Sequence, residues 1–128
     1  MKVIIISLLF VLFQTVPKAT MDRGKKVYDQ YCMACHMAGG TGVPRLNPPL
    51  FGNDYVSGDK KRFIGIVLNG FDEPVEIGGE FYQNVMAPHD FLTDQQVADV
   101  ITYVRNSFGN KASAVTAAEV KAVRSAKK

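Results

Sequence analysis

The stretch "YCMACHMAGGTG", residues 31 to 42, holds both cysteines of the chain, Cys32 and Cys35, with His36 directly after the second. Three chemistries use such a set. Two thiols with a two-residue spacer can cycle between dithiol and disulfide, provided a helix N-terminus lowers the pKa of the first. Thiols and imidazoles can hold zinc, here Cys32, Cys35 and His36 with His89, in a tetrahedron. Alternatively, the two sulfurs form thioether bonds to the vinyl groups of a porphyrin and the histidine takes the iron. C-x-x-C-H is the pattern of covalent haem attachment.

The surrounding sequence separates the three. A redox dithiol belongs near a βαβ unit; no parallel-sheet pattern is present, and Cys32 falls at the end of a helix, not the start. Zinc sites usually supply two spaced pairs of ligands; Cys35 and His36 are adjacent, and there is no second pair. Haem attachment needs only a helix end that sets two sulfurs along one porphyrin edge. An iron so held still needs a sixth ligand or an open face. Met33 and Met37 are confined to the His36 side, and Met21 lies near the N-terminus. Met86 follows His36 by 50 residues, in an irregular loop before the last strong helix, where a chain can cross the far face. Packing of an irregular gap is the other use for Met86, and His89 is the other donor in reach. The second ring nitrogen of His36 should donate to a backbone carbonyl; by position in the following loop, Pro44 is the expected source.

The elements that must position these groups are mostly helical. "MDRGKKVYDQYC" predicts a helix over 22–33, capped by Asp22, with Val27/Tyr31 and Tyr28/Cys32 forming an apolar stripe. The glycine- and proline-rich run 37–58 predicts a long functional loop. "DKKRFIGIVLNG" predicts a helix capped by Asp59 and stopped by Gly70, with Phe63, Ile66 and Val67 inward. "EPVEIGGEFYQ" reads as a hairpin about Gly78-Gly79. "TDQQVADVITYVRNSFGN" is the clearest helix: Thr93 and Gln96 match a capping box, Val97, Val100, Ile101, Val104 and Phe108 share a face, and Gly109 ends it. A second capping box, Thr116 and Glu119, opens a short amphipathic segment. Three main helices and so much loop make a marginal core for a small domain, and a large apolar group would fill it.

Length and charge bound the rest. The chain has 128 residues, 47% of them apolar and 21% charged, as expected for one small domain. Lys2 followed by the apolar run Val3–Phe13 is too short to span a bilayer comfortably and fits a secretory signal. We expect residues 1–19 to be the signal, 20–109 the haem-binding domain and 110–128 a basic extension; membrane association follows only if residues 3–16 stay uncleaved. Without residues 1–19 the chain carries 13 basic and 12 acidic side chains, a net +1, which argues against nucleic acid as a partner. From Phe63 to Val104 there are seven acids and no Lys or Arg. Such asymmetry can orient a partner, although solvated surface is its commonest use.

The chain resembles a class I c-type cytochrome of the small bacterial, single-haem kind. The matching residues are Cys32-Met33-Ala34-Cys35-His36, the "GTGVPRLNPPLFGNDY" loop, "GGEFYQNVMAP" and "LTDQQVADVITYVRNSFGN", which together cover nearly all of 22–125. The resemblance implies an all-α cytochrome c fold wrapped around one covalent haem c. It implies His36 and Met86 as axial ligands and a carbonyl near Pro44 bonded to His36. In that family proline often follows the ligand methionine; here Ala87 stands there, with Pro88 one place later. The implied role is a periplasmic carrier of single electrons rather than an enzyme. Its partners would be redox proteins such as a membrane oxidase or a quinoprotein dehydrogenase. The alternative is a haem c subunit dedicated to a larger dehydrogenase, oxidase or reductase. A peroxidase or gas sensor would need an open iron. Arg45 and Tyr55 are candidates for haem propionates.

Overall fold

The computed structural model describes residues 15–126. The Val3–Phe13 run, and the signal-sequence reading built on it, lie outside the described residues. Among the described residues, no helix is long and apolar enough to cross a membrane.

The described residues are helical with one small sheet. Helix α1 is Lys18–Tyr31, α2 Met33–His36, α3 Asp54–Ser57 and α4 Lys60–Asn69; strands β1 Val75–Ile77 and β2 Glu80–Tyr82 follow, then α5 Asp94–Arg105 and α6 Ala117–Ser125. Helix α1 starts four residues before the expected Asp22 cap. Pro17 occupies the N-cap, a position from which its fixed φ leads readily into a helix. Asp22 is instead inside the helix and pairs with Lys18 at 2.6 Å, one turn back. The caps expected at Asp59, Thr93 and Thr116 all form, the last two as complete capping boxes. Gly70, with φ +75°, ends α4 as expected. Helix α5 stops earlier than Gly109, at Arg105, because the chain must turn there to bring Phe108 back against Tyr28 and Tyr103.

Helix α1 packs across α5, and α6 lies against both α5 and α4. The crossing of α1 and α5 depends on Gly24, where an added Cβ would lie 2.2 Å from the Asp99 carbonyl oxygen and 2.6 Å from Tyr103 Cβ. At the same crossing Arg23 grips the buried Asp99 carboxylate through two bonds of 2.7 and 3.1 Å. One core joins Tyr28, Ile64, Leu68, Val97, Ile101 and Val120. Helix α6 therefore belongs to the body of the molecule: Val115 and Val120 are buried in that core, so among the described residues the three expected main helices are four.

The long loop is more ordered than its composition predicts. Asn53 accepts from the Val56 N–H and caps the one-turn α3. The buried guanidinium of Arg105 donates to the carbonyls of Val56, Gly58 and Ser113, at 2.7, 3.0 and 2.8 Å. The antiparallel hairpin pairs Val75 with Tyr82, Glu76 with Phe81 and Ile77 with Glu80 about the Gly78-Gly79 turn. Its alternation turns Val75, Ile77 and Tyr82 inward and leaves Glu76 and Phe81 outside.

Candidate functional site

Cys32, the C-cap of α1, begins the next helical turn: its carbonyl accepts from the N–H groups of Cys35 and His36 at 3.2 and 2.9 Å. Residues three apart on a helical turn share a face, so the two thiols point the same way. Cys32 is half-buried and Cys35 exposed. Burial, and then the neighbouring Cys35, push the Cys32 thiol up to about 11. A redox dithiol needs the opposite, a stabilised thiolate. The zinc reading also loses support: among the described residues, no three His, Cys, Asp or Glu side chains group closely enough to hold a metal ion.

The turn after His36 is fixed from several sides. The Tyr28 hydroxyl donates to the Met37 carbonyl at 2.6 Å; burial raises the phenol pKa, which keeps it a donor. The Gly42 N–H returns to the His36 carbonyl at 3.0 Å. The imidazole itself is buried, and its Nδ1 lies 3.0 Å from the Pro48 carbonyl. A carbonyl can only accept, so Nδ1 carries the proton and Nε2 is left bare, able to ligate a metal. Burial holds the pKa of His36 below its ordinary value, with the Pro48 bond opposing and His89 adding to the decrease.

The carbonyl source is thus Pro48 and not the expected Pro44. Val43 and Asn47 exchange two backbone bonds of 2.9 Å. That places exposed Pro44, with Arg45 at φ +63°, on the outside of a tight reversal. The chain comes back to the histidine only after this reversal. There the Pro48, Pro49 and Leu50 carbonyls accept in turn from His36, Asn53 Nδ2 and Asn110 Nδ2.

His36, Cys32, Cys35 and Met86 all line one cavity of about 300 Å³. Its walls are apolar, including Leu50, Phe63, Val67, Leu92, Ile101 and Val104. Of the methionines in the described residues, only Met86 lines it; Met33 and Met37 are partly exposed on the surface. Met86 is pinned by a two-way backbone exchange with Phe71, at 2.8 and 2.9 Å. Gly70 permits this close approach, since a Cβ there would lie 2.4 Å from the Met86 carbonyl oxygen.

His89 also lines the cavity, but its Nδ1 is buried without a hydrogen-bond partner. Met86 and His89 are thus both donors at the cavity wall. Tyr55 reaches the cavity wall, with the Arg62 guanidinium 4.6 Å from its ring centre. Arg45 does not; it extends outward, 4.0 Å from Glu80.

A porphyrin fits this donor set: two same-facing thiols at the rim, one imidazole with a bare Nε2, one thioether, and apolar walls between them. Sequence reasoning missed Pro48, Phe71 and Asn110. Their partners lie 12, 15 and 60 residues away, and no local pattern marks them.

Comparison with known proteins agrees with this chemistry. The family described as Cytochrome c matches residues 21–108. A cytochrome c-552 of Thermus thermophilus is 31% identical over 127 residues, covering 92% of this chain and 84% of that protein. The cytochrome c subunit of a quinone alcohol dehydrogenase from Gluconobacter oxydans is 34% identical over 112 residues, or 80% of this chain. A gluconate 2-dehydrogenase cytochrome c subunit from Pantoea cypripedii is 38% identical over 104 residues, or 79% of this chain. The chain spans only 22% and 24% of the lengths of these two subunits.

Proposed function

Because this chain belongs to the cytochrome c family, we propose that it carries single electrons between redox proteins on one haem c, held by Cys32 and Cys35 through thioether bonds and by His36 and Met86 as axial ligands. The observation that carries this reading is the convergence of these four side chains on one apolar cavity. When bound, the haem supplies the one-electron couple of its iron. Pro48 keeps His36 in the tautomer that offers Nε2. The Met86 thioether favours a higher potential than a second imidazole would. With both axial positions taken, no substrate reaches the iron, and the chain acts as a carrier rather than a catalyst. The walls exclude water and lower the local dielectric, another lever on the potential.

Partner access falls to the rim. Cys35 is exposed there, and Val85, beside Met86, is 66% exposed. We take this rim, with Met33 and Met37, as the apolar docking patch; small interfaces suit transient redox encounters. The apolar run behind Lys2 supports export, and the periplasm is the proposed compartment. The names of the dehydrogenase relatives favour a second reading, in which the partner is a quinone-linked dehydrogenase that this chain serves as a dedicated haem subunit. Co-purification with a large oxidoreductase would support that reading, and recovery of the chain free of any partner would support a diffusible carrier.

The direct test is expression in a host with haem-attachment machinery. We expect the polypeptide mass plus one haem, and a low-spin spectrum with a methionine–iron charge-transfer band in the oxidised state. Bare polypeptide alone would overturn the reading. Met86→Ala should abolish the band and retain the covalent haem; an unchanged spectrum would reject Met86 as ligand.

A further inference from the structure

Helix α6 lies beyond the residues that match the family, which end at 108. Its Arg124 reaches back to the segment that follows Met86. Nε donates to Asp94 Oδ1, Nη1 to the Asp90 carbonyl and Nη2 to the Leu92 carbonyl, each at 2.8 Å. The guanidinium spreads its donors over three acceptors within five residues, a use of its planar fork that a lysine could not copy. Leu92 is buried and lines the cavity, and its N–H bonds the His89 carbonyl. The loop carrying Met86 is therefore held at one end by the Phe71 exchange and at the other by Arg124.

The helix does not need these bonds to stay seated. Val120 is fully buried in the core. Lys60 ties the start of α6 to α4, through Glu119 at 2.7 Å and the Ala114 carbonyl at 3.0 Å. Two of the three Arg124 bonds go to loop backbone, and the third goes to the first residue of α5.

We infer that α6 acts as a clamp on the Met86 loop, with Arg124 as the positioning residue that sets how readily the thioether leaves the iron. The inference rests on the proposed Met86 ligation. Opening the loop breaks bonds from a charged donor, which are stronger than neutral ones. Loosening them should ease opening and leave the haem attachment untouched.

Imidazole added to the oxidised holoprotein competes with Met86 for the iron, and loss of the charge-transfer band reports the exchange. Arg124→Ala and Arg124→Gln should bind imidazole about tenfold more tightly than the parent, a change of about 1.4 kcal/mol in loop opening. Arg124→Lys, which keeps a charge beside Asp94, should fall between. Lys60→Ala, which loosens α6 at its other end, should leave the affinity within about twofold of the parent. Equal affinities for the parent and both neutral Arg124 variants would overturn the clamp. So would a Lys60→Ala shift as large as that of Arg124→Ala, which would reduce the effect to general seating of the helix. A Met86→Ala protein that keeps the band would remove the underlying ligand assignment, and that failure is read on a different variant.

Discussion

Pro48 lacks an N–H and so brings only an acceptor to the loop; that acceptor fixes the tautomer of His36. The Leu50 carbonyl, two residues after Pro48, is held from outside the loop by Asn110, whose Nδ2 donates to it at 2.7 Å and to the Val104 carbonyl of α5 at 2.9 Å. Asn110→Ala would leave both partly buried carbonyls without that donor. We expect a loss of about 1–2 kcal/mol of stability, measured by chemical denaturation of the holoprotein, with the covalent haem retained. A stability equal to the parent's would show that water replaces the amide at no cost. At this scale the chemistry was legible and the supports were not. Cys32, Cys35 and His36 announce themselves by spacing. Which carbonyl meets the imidazole depends on how a proline-rich loop folds back, and Pro44 and Pro48 look alike until the Val43–Asn47 reversal is known.

Caps and turns are local events, and the elements they start were readable for that reason. Thr93 with Gln96, Thr116 with Glu119, Asp59 and the Gly78-Gly79 hairpin all sit where short patterns place them. The start of α1 and the existence of α3 were not readable: Asp22 is a stronger cap signal than Pro17, and the prolines and glycines around Asn53 read as continuous loop. Gly24 illustrates the limit. As an interior helix glycine it reads as a weakness of about 1 kcal/mol relative to alanine. Its use lies 75 residues away, where α5 passes so closely that a methyl group would meet the Asp99 backbone oxygen at 2.2 Å. The neighbour is backbone on a packed helix and cannot rotate aside. The clash therefore outweighs the propensity gain, and Gly24→Ala should destabilise by about 1–3 kcal/mol. Thermal unfolding measures this, and a rise in Tm would mean that α1 and α5 separate without penalty.

Across the whole molecule, charge organises the surface and joins the extension to the body. Of the seven acids between Phe63 and Val104, Asp99 is spent on Arg23 and Asp94 on Arg124. Asp72, Glu73, Glu76, Glu80 and Asp90 lie on the exposed surface, Glu80 with Arg45 at 4.0 Å. The bond between Lys60 of α4 and Glu119 of α6 crosses 59 residues at 2.7 Å. It holds the Glu119 carboxyl below its ordinary range, with the Thr116 backbone N–H as the next cause. A carboxyl depressed in the folded state takes up its proton less readily there than in the unfolded chain. Its stabilisation is therefore present above the ordinary carboxylate range and is lost as pH falls through the folded value. Glu119→Gln keeps the capping box through its one amide oxygen and removes the charge together with the acceptor that faces Lys60. With Glu119 side-chain exposure at 39%, solvent screens the pair, and the variant should lose about 0.5 kcal/mol at neutral pH. Denaturation curves of the two proteins should converge as the pH is lowered below the carboxylate range; a gap that stays constant with pH would assign the loss to packing and not to the ion pair.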